Sequence, residues 1–254
     1  MDEEKQSRPD VETIEINEMD LMPATREPLL IEIDVADLKT PSETTASSPF
    51  GWTQQAPTAG KATVDIILLI DTSGSMGATD YHPNRLEAAR EAARLFSRRK
   101  VLQGYRDRVG IIGFGGGPTT VCPLTEDMDA VTAAIDKLQI THTGTMIGTA
   151  LTAAYAELKK HNSPRQGIVL LSDGGDEYDT SKPETVAGQH KHIKLFTIGM
   201  GTTGGGMAKL PHGKQMVHLN EKLLKQLAKL SGGQYLYAPN VDELRKVYQA
   251  LADY

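Results

Sequence analysis

The sequence predicts an α/β fold in which a doubly wound, mostly parallel central sheet is flanked by helices. Two observations predict this class. Short apolar runs rich in β-branched residues recur from residue 61 onward, and amphipathic stretches of helical period lie between them. Unbroken apolar runs are typical of strands buried on both faces of a parallel sheet. Strands that alternate with helices assemble into a doubly wound, Rossmann-like sheet.

Each element has its own signal in the chain. The predicted strands are the apolar runs Val64–Ile70, Val109–Phe114, Ile168–Leu171 and Ile193–Ile198, with Thr119–Cys122 as a short edge strand. Three helices are indicated by apolar side chains that recur on one face: Leu86, Ala89, Ala93 and Phe96; Met128, Val131, Ile135 and Leu138; Ile147, Leu151, Ala154 and Leu158. Two later helix starts are indicated by capping patterns: Ser181 with Pro183 and Glu184, and Asn240 with Glu243. Gly232 and Gly233 are expected to end a helix from Glu221 through Leu230.

The charge divides the chain into two parts. Residues 1–60 hold 13 acidic and 4 basic residues, a net charge of −9, whereas residues 61–254 carry +3. Scattered prolines and a Ser/Thr cluster at residues 40–48 predict a largely flexible acidic leader over residues 1–60. Residues 61–254 are predicted to form the folded domain. Because that domain is nearly neutral, nucleic acid is not expected to be its partner.

Composition also excludes several classes of protein. A single cysteine, Cys122, excludes a disulfide framework and a cysteine-rich metal site. The longest apolar run, Ile66–Ile70, is far shorter than the roughly 20 residues of a spanning helix, so no membrane span is expected. The first residues lack the pattern of a secretory signal. A cytoplasmic location is therefore expected.

Oxygen-bearing side chains follow the predicted strands at the edge where open α/β sheets bind ligands. Asp71, Ser73 and Ser75 follow the first strand, Asp173 follows the run that ends at Leu171, and Thr145 precedes a helix. Carboxylate and hydroxyl oxygens suit a hard cation such as Mg²⁺, which takes about six oxygen ligands. Alternatively, the Asp71 loop alone is a capped turn whose side chains bind backbone N–H groups.

These residues resemble the metal-ion-dependent adhesion site of von Willebrand factor A domains. The three parts, Asp71-x-Ser73-x-Ser75, Thr145 and Asp173-Gly174, occur in the order of that family, and the resemblance covers about residues 62–254. Residues 83–89 (Pro-Asn-Arg-Leu-Glu-Ala-Ala) and 121–125 (Val-Cys-Pro-Leu-Thr) further resemble the bacterial Bat-type, aerotolerance branch.

The resemblance implies both a site and a partner system. It implies that Ser73, Ser75 and sometimes Thr145 ligate Mg²⁺ or Mn²⁺ directly, while Asp71 and Asp173 act mainly through waters. A partner protein would supply an Asp or Glu carboxylate to the open coordination position, and a MoxR-type AAA+ ATPase is the implied partner system. Bat-type proteins commonly carry membrane helices that flank this domain, and this sequence shows none. Two interpretations are therefore open: a soluble relative, or an excised domain of a membrane-associated parent protein.

Two other functions are open on the sequence. One is a metal-dependent phosphoester hydrolase, in which the same cation polarises a phosphoryl oxygen. It needs a positioned base or nucleophile, and Ser73 stands where phosphatases with a strand-end Asp commonly carry a second Asp. The other is a structural assembly domain whose ion only stabilises the fold. We expect a binding module with no catalytic residues and no organic cofactor.

Three further patterns receive ordinary structural interpretations. Gly199-x-Gly201-x-x-Gly204 matches a dinucleotide-binding pattern, but glycines and Pro211 follow it, so a flexible loop is expected. The eight bases of residues 85–108 are interpreted as a solvated helix face with the pairs Glu87–Arg90 and Glu91–Arg94. The acids Asp176, Glu177 and Asp179 either form a specificity rim beside the site or a solvated loop, and the loop is favoured.

Overall fold

The computed structural model describes residues 64–103, 106–176, 179–202 and 204–252. The predicted leader, residues 1–60, lies outside the described residues, as does Glu177. The strands of the described part are β1 Asp65–Asp71, β2 Arg108–Phe114, β3 Pro118–Thr125, β4 Gln166–Ser172, β5 Lys194–Met200, β6 Gly206–Leu210, β7 Gly213–Val217 and β8 Tyr235–Ala238. Its α-helices are α1 Arg85–Gln103, α2 Met128–Asp136, α3 Ile147–Lys159, α4 Pro183–Gln189, α5 Glu221–Leu230 and α6 Val241–Ala252.

Six strands form one sheet in the order β3-β2-β1-β4-β5-β8. The edge strand β3 is antiparallel to β2, and every other neighbouring pair is parallel. The predicted α/β class and the four predicted strands in its centre are confirmed. The predicted edge strand Thr119–Cys122 is also present, although it extends over Pro118–Thr125.

The apolar runs lack alternation because helices cover both faces of the sheet. All seven positions of β1 are buried. Ile66 and Leu68 pack into a core with α1, α2 and α6, whereas Ile67 and Leu69 pack into a second core with α3, α4 and α5. Successive side chains of a strand point to opposite faces, so each core receives every second residue.

Two of the predicted helix ends are confirmed. Asn240 Oδ1 accepts a hydrogen bond from the N–H of Glu243 at 2.9 Å, which satisfies a free donor at the start of α6. The N–H of Gly233 donates to the Ala228 carbonyl at 2.9 Å, and Gly232 has a φ of 70°. This left-handed residue ends α5 as glycine pairs commonly do.

The predicted cap of α4 is wrong. The helix begins at Pro183, and the residue that precedes it is Lys182, which makes no side-chain cap. The N–H of Ser181 instead donates to Asp179 Oδ1 at 2.9 Å. Asp179 therefore accepts the N–H of Ser181 in a turn that precedes the helix. Pro183 marks the start of α4, because the first turn of a helix does not use the N–H that proline lacks.

The solvated interpretation of residues 85–108 is wrong in part. Glu87 and Arg90 form the predicted pair at 2.5 Å, but Arg94 pairs with Asp136 at 2.6 Å instead of with Glu91. Glu91 pairs with Arg245 of α6. Arg85 and Lys100 are buried, and Lys100 lies 2.5 Å from the buried Asp107. Tertiary contacts, rather than helical spacing, select these partners.

The flexible loop predicted after Gly201 is also wrong, because residues 206–217 form a hairpin. Strands β6 and β7 pair antiparallel as a separate two-stranded sheet, joined by a two-residue turn at Pro211 and His212. No helix opens directly behind Gly204, as expected. None of the described helices is both long and apolar enough to cross a bilayer.

A glycine pair tests how tightly α3 packs. A Cβ at Gly148 would lie 2.0 Å from the Ser181 carbonyl oxygen, whereas a Cβ at Gly188 in α4 would meet nothing within 4 Å. We expect Gly148→Ala to lower the free energy of unfolding by about 1–3 kcal/mol, despite the better helix propensity of alanine. Gly188→Ala should raise it by up to about 1 kcal/mol. Urea unfolding measures both, and an equal gain in both variants would contradict the close packing.

Candidate metal centre

The candidate site is built on two adjacent parallel strands that end side by side. Strand β1 ends at Asp71 and its neighbour β4 ends at Ser172. The Ser172 hydroxyl donates to Asp71 Oδ2 at 2.6 Å, and the N–H of Ser73 donates to Asp71 Oδ1 at 2.8 Å. Both oxygens of Asp71 therefore accept hydrogen bonds from the chain, and its carboxylate is fixed in one orientation.

The loop after β1 turns sharply to present two hydroxyls. Residues 74–77 form a single turn of 3₁₀-helix, and Ser73 Oγ lies 3.0 Å from Ser75 Oγ. A Cβ at Gly74 would lie 2.6 Å from Leu210 Cδ2 in β6. The hairpin thus approaches the loop closely here, and a larger residue would require the end of the Leu210 side chain to shift.

The third and fourth parts of the site face each other across Gly175. A Cβ at Gly175 would lie 3.4 Å from Asp173 Oδ1 and 3.8 Å from Thr145 Oγ1. Asp173 Oδ1 also accepts the N–H of Gly175 at 3.1 Å. The loop that carries Thr145 is tied to the Asp71 loop, since the N–H of Thr141 donates to the Thr72 carbonyl at 2.7 Å.

Four of the five predicted site residues line one cavity of about 550 Å³, namely Ser73, Ser75, Thr145 and Asp173. Asp71 lies beneath the cavity, where it supports Ser73 through the bond described above. The structure thus brings the predicted residues together, while ligation of a metal by them stays a prediction.

The donors that converge here suit a hard cation. Four hydroxyls, those of Ser73, Ser75, Thr143 and Thr145, and the Asp173 carboxylate line the cavity, and the buried Asp71 carboxylate supports Ser73. Mg²⁺ and Mn²⁺ prefer such oxygen ligands. In the part of the chain that the structure describes, no three His, Cys, Asp or Glu residues form a metal-binding group, so a zinc-type site is not indicated there.

Negative charge accumulates at this edge. Burial and then the charge of Asp173 raise the pKa of Asp71 to about 7, although hydrogen bonds from Ser172 and Ser73 oppose the rise. An ionised Asp71 is therefore costly without a nearby positive charge. A divalent cation in the cavity would favour the ionised form.

A buried arginine supplies one positive charge to this edge. The Arg85 side chain is fully buried, and its Nη1 donates to Asp173 Oδ2 at 2.8 Å. Its Nε and Nη2 donate to the two oxygens of Asp80, each at 2.8 Å. Burial opposes its charge, but the bonds to Asp80 and the charge of Asp173 raise the pKa of the Arg85 guanidinium. Arg85 thus holds Asp173 in place from behind the cavity.

Sequence reasoning missed Arg85 because the helical spacing of its neighbours suggested a solvated face. A signal was present: Arg85 opens the helix that follows the Asp71 loop, so it lies at the carboxyl edge of the sheet. Sequence reasoning also missed the hydrogen bond that Ser172 donates to Asp71 and the hairpin that forms one wall of the cavity.

The acidic loop has a structural role that the solvated interpretation did not include. Asp179 accepts hydrogen bonds from the N–H and hydroxyl of Thr149 at 2.9 and 2.7 Å. Asp176 accepts the N–H of Ile147 at 3.2 Å. Both acids bind free N–H groups in the first turn of α3 and complement its dipole.

The hairpin and three histidines complete the walls of the cavity. Its lining includes Leu210, Gln215 and Met216 of the hairpin region, together with His142, His212 and His218. The histidines are scattered in the sequence, and the fold gathers these three beside the candidate metal position. These walls therefore combine imidazole and amide groups with apolar side chains.

Comparison with known proteins adds family information to this geometry. Residues 66–175 match the sequence profile of the von Willebrand factor type A domain. A UPF0353 protein of Mycolicibacterium paratuberculosis is 37% identical over 199 residues, which cover 73% of this chain and 59% of that protein. A UPF0353 protein of Mycobacterium marinum is 34% identical over 201 residues, with 73% and 58% covered. The chain thus spans less than two thirds of the length of these curated relatives.

Solved structures share the fold. BatB from Bacteroides thetaiotaomicron superposes with a TM-score of 0.63 at 26% identity, covering 75% of this chain and 98% of that one. An aerotolerance-related membrane protein from Bacteroides fragilis gives a TM-score of 0.62 at 25% identity, with 75% and 98% covered. A von Willebrand factor type A protein from Catenulispora acidiphila gives 0.61 at 18% identity, with 75% and 42% covered, and shows the fold alone.

The raised pKa of Asp71 predicts how the metal-free protein responds to pH. The folded state binds the proton of Asp71 up to about pH 7, whereas the unfolded chain releases it near its ordinary value of 3.8. The free energy of unfolding should therefore fall as the pH rises from about 4 to about 7. Asp71→Asn should remove this contribution. The gap in free energy of unfolding between the variant and the parent, both in EDTA, should therefore shift in favour of the variant by a few kcal/mol over that range. Urea unfolding at several pH values measures the gap, and a gap independent of pH would contradict the assignment.

The charge network predicts a large effect of losing Arg85. Arg85→Met leaves Asp80 and Asp173 buried without their cation, so we expect the free energy of unfolding to fall by about 3–5 kcal/mol in metal-free buffer. Arg94→Met is the matched control, since its partner Asp136 is half exposed. That variant should lose less than about 1 kcal/mol. Equal losses of unfolding free energy in urea would show that the buried ion pairs of Arg85 contribute no more to stability than the exposed pair of Arg94.

Proposed function

The described domain has the von Willebrand factor type A fold, and on that premise we propose that it is a metal-dependent protein-binding module. The convergence of Ser73, Ser75, Thr145 and Asp173 on one cavity is the observation that carries the proposal. With Asp71 beneath them, these residues would hold Mg²⁺ or Mn²⁺. A bound cation of this kind supplies an electropositive coordination position for a carboxylate oxygen.

The residues around the cavity favour an anionic partner group. The hairpin residues Leu210, Gln215 and Met216 line the cavity together with His142, and no acid of the described chain other than Asp173 lines it. Ser73 and Ser75 lie on a loop that Asp71, Thr141 and Leu210 hold in place. This preorganised loop lowers the ordering cost of binding. The proposed ligand is therefore an Asp or Glu side chain of a partner protein.

The proposal assigns no catalytic turnover to this site. Both oxygens of Asp71 already accept hydrogen bonds from Ser73 and Ser172, so this carboxylate acts as a support rather than as a nucleophile. The proposal also includes a MoxR-type AAA+ ATPase as the partner system and a cytoplasmic location. The partner system is what the Bat-type resemblance of residues 83–89 and 121–125 implies, and the similarity to BatB supports that branch.

Calorimetric titration of the metal-stripped chain with Mg²⁺ and Mn²⁺ tests the site directly. We expect saturable binding at one site, weakened at least about tenfold by Ser73→Ala, Thr145→Ala and Asp173→Ala. Thr143→Ala is the matched control, because Thr143 lies in the same loop but its hydroxyl accepts the N–H of Gly116. That variant should bind metal like the parent.

Two results would contradict the proposal. Metal binding that survives both Ser73→Ala and Asp173→Ala would place the ion elsewhere. Mg²⁺-dependent hydrolysis of p-nitrophenyl phosphate by the parent, lost in Asp71→Asn, would support a hydrolase instead.

A further inference from the structure

The hairpin beside the cavity presents an exposed face made of four side chains. Met207 lies opposite Met216, and Lys209 lies opposite Lys214. Alternate residues of a strand share a face, so these four side chains lie together. All four are exposed, with Met207 and Met216 at 40% and 47%. Exposed methionines are common at binding surfaces because they adapt to irregular partners.

The same face is cationic. The sequence from Thr202 to Leu219 contains two lysines and two histidines but no acidic residue. Within the described residues, no acid forms an ion pair with Lys209 or Lys214. Like charges directly opposite each other across two strands are destabilising. An acidic group bound between them would remove this repulsion.

The outer edge of β7 has unpaired backbone groups. The Met207 carbonyl points away from β7 and accepts the N–H of Thr79 at 3.2 Å. Because pairs alternate along an antiparallel ladder, Met216 opposite it and Lys214 two residues away direct their N–H and C=O groups outward from the hairpin. In the described part of the chain β7 pairs with β6 only. Such an edge is a template for a further strand.

The hairpin packs closely against the candidate metal loop and the residues that follow it. Leu210 packs against Gly74, and a Cβ at Gly206 would lie 2.4 Å from Asp80 Oδ1. Arg85 Nη2 lies 3.5 Å from the Val217 carbonyl oxygen. Leu210 and Gln215, on the face opposite the methionines, line the candidate metal cavity, and so does Met216. The edge of β7 and the candidate metal position are thus parts of one continuous surface.

We infer that β7 takes an extended acidic segment of a partner protein as a third, antiparallel strand, with one carboxylate of that segment directed to the metal cavity. This inference rests on the proposed function and names the kind of partner. Charge complementarity with Lys209 and Lys214 selects an acidic segment, and the free edge selects an extended one. Antiparallel addition continues the hairpin and is the more stable pairing.

Strand geometry fixes the spacing of the ligand residues. An acid opposite Lys214 and an apolar residue opposite Met216 stand two positions apart on the outer face. The residue between them points to the cavity face, and it is the carboxylate directed to the metal. From its N- to its C-terminus, the bound antiparallel segment is therefore predicted to contain one apolar residue followed by two acidic residues.

The test uses the full chain with Mg²⁺ and a capped heptapeptide, Thr-Thr-Val-Asp-Glu-Thr-Thr. Backbone N-methylation at Val and Glu removes the donors that face β7, whereas N-methylation at Asp alters a donor that faces away. We expect the first change to weaken binding by about tenfold or more, the loss for one or two hydrogen bonds, and the second to have little effect. Isothermal titration measures the three dissociation constants.

Matched variants of the protein test the same edge. Met216→Pro removes the outward N–H without breaking a bond to β6, and Met216→Ala controls for the lost side chain. Met216→Pro should bind the peptide several-fold more weakly than Met216→Ala. Lys214→Glu should weaken binding and reduce its dependence on salt. Lys214 does not line the cavity, so Lys214→Glu should retain the Mg²⁺ affinity of the parent, which shows that the candidate site is intact.

The outcomes separate this inference from the proposed function. Strand addition would be overturned if the peptide methylated at Val and Glu bound as tightly as the peptide methylated at Asp. Normal Mg²⁺ binding by a parent that shows no affinity for any of the peptides would also overturn it. Failure of Mg²⁺ binding contradicts the proposed function alone, and edge-dependent peptide binding without metal would still support strand addition.

Discussion

The balance of buried charge at the carboxyl edge of the sheet is the constraint on which the candidate site depends. Asp71, Asp80 and Asp173 are largely withdrawn from water, and Arg85 is the buried cation that meets two of them. Ionised groups in such a place need partners, because their desolvation costs several kcal/mol each. Arg85 neutralises Asp80 and steadies Asp173, but Asp71 receives only hydrogen bonds. This unequal distribution leaves the cavity side of the edge short of positive charge, which is the electrostatic condition that a cation site requires.

Much of the fold was predictable because it follows from burial alone. The run from Ile66 to Ile70 has no polar interruption, and its short length and its isoleucines favour a strand covered on both faces over a buried helix. The candidate site was predictable for a related reason: Asp71 and Asp173 each follow a buried strand, and parallel strands end at one edge. The sequence therefore predicts that the two acids lie at the same edge of the sheet, and the pairing of β1 with β4 brings them together there.

The remaining features depend on contacts between distant parts of the chain. Arg85 meets Asp173 across 88 positions, so a local pattern of charges on a helix could not reveal its burial. The hairpin strands are only five residues long and mix glycine and lysine with a few apolar residues, which conceals their pairing. Ser181 was predicted to cap α4, but Asp179 competes for the same turn. In each case the outcome is decided by a neighbour that the local sequence does not contain.

Helix α1 links the two ends of the domain mechanically. It has 19 residues, which corresponds to a length of about 28 Å. Arg85 fastens its first turn to Asp173, and Lys100 near its last turn pairs with Asp107, which in turn accepts the N–H of Val64 at the entry to β1. Each end of the helix is thus fixed by a buried ion pair. Through these pairs α1 joins the candidate site at one edge of the sheet to the start of β1 at the opposite edge.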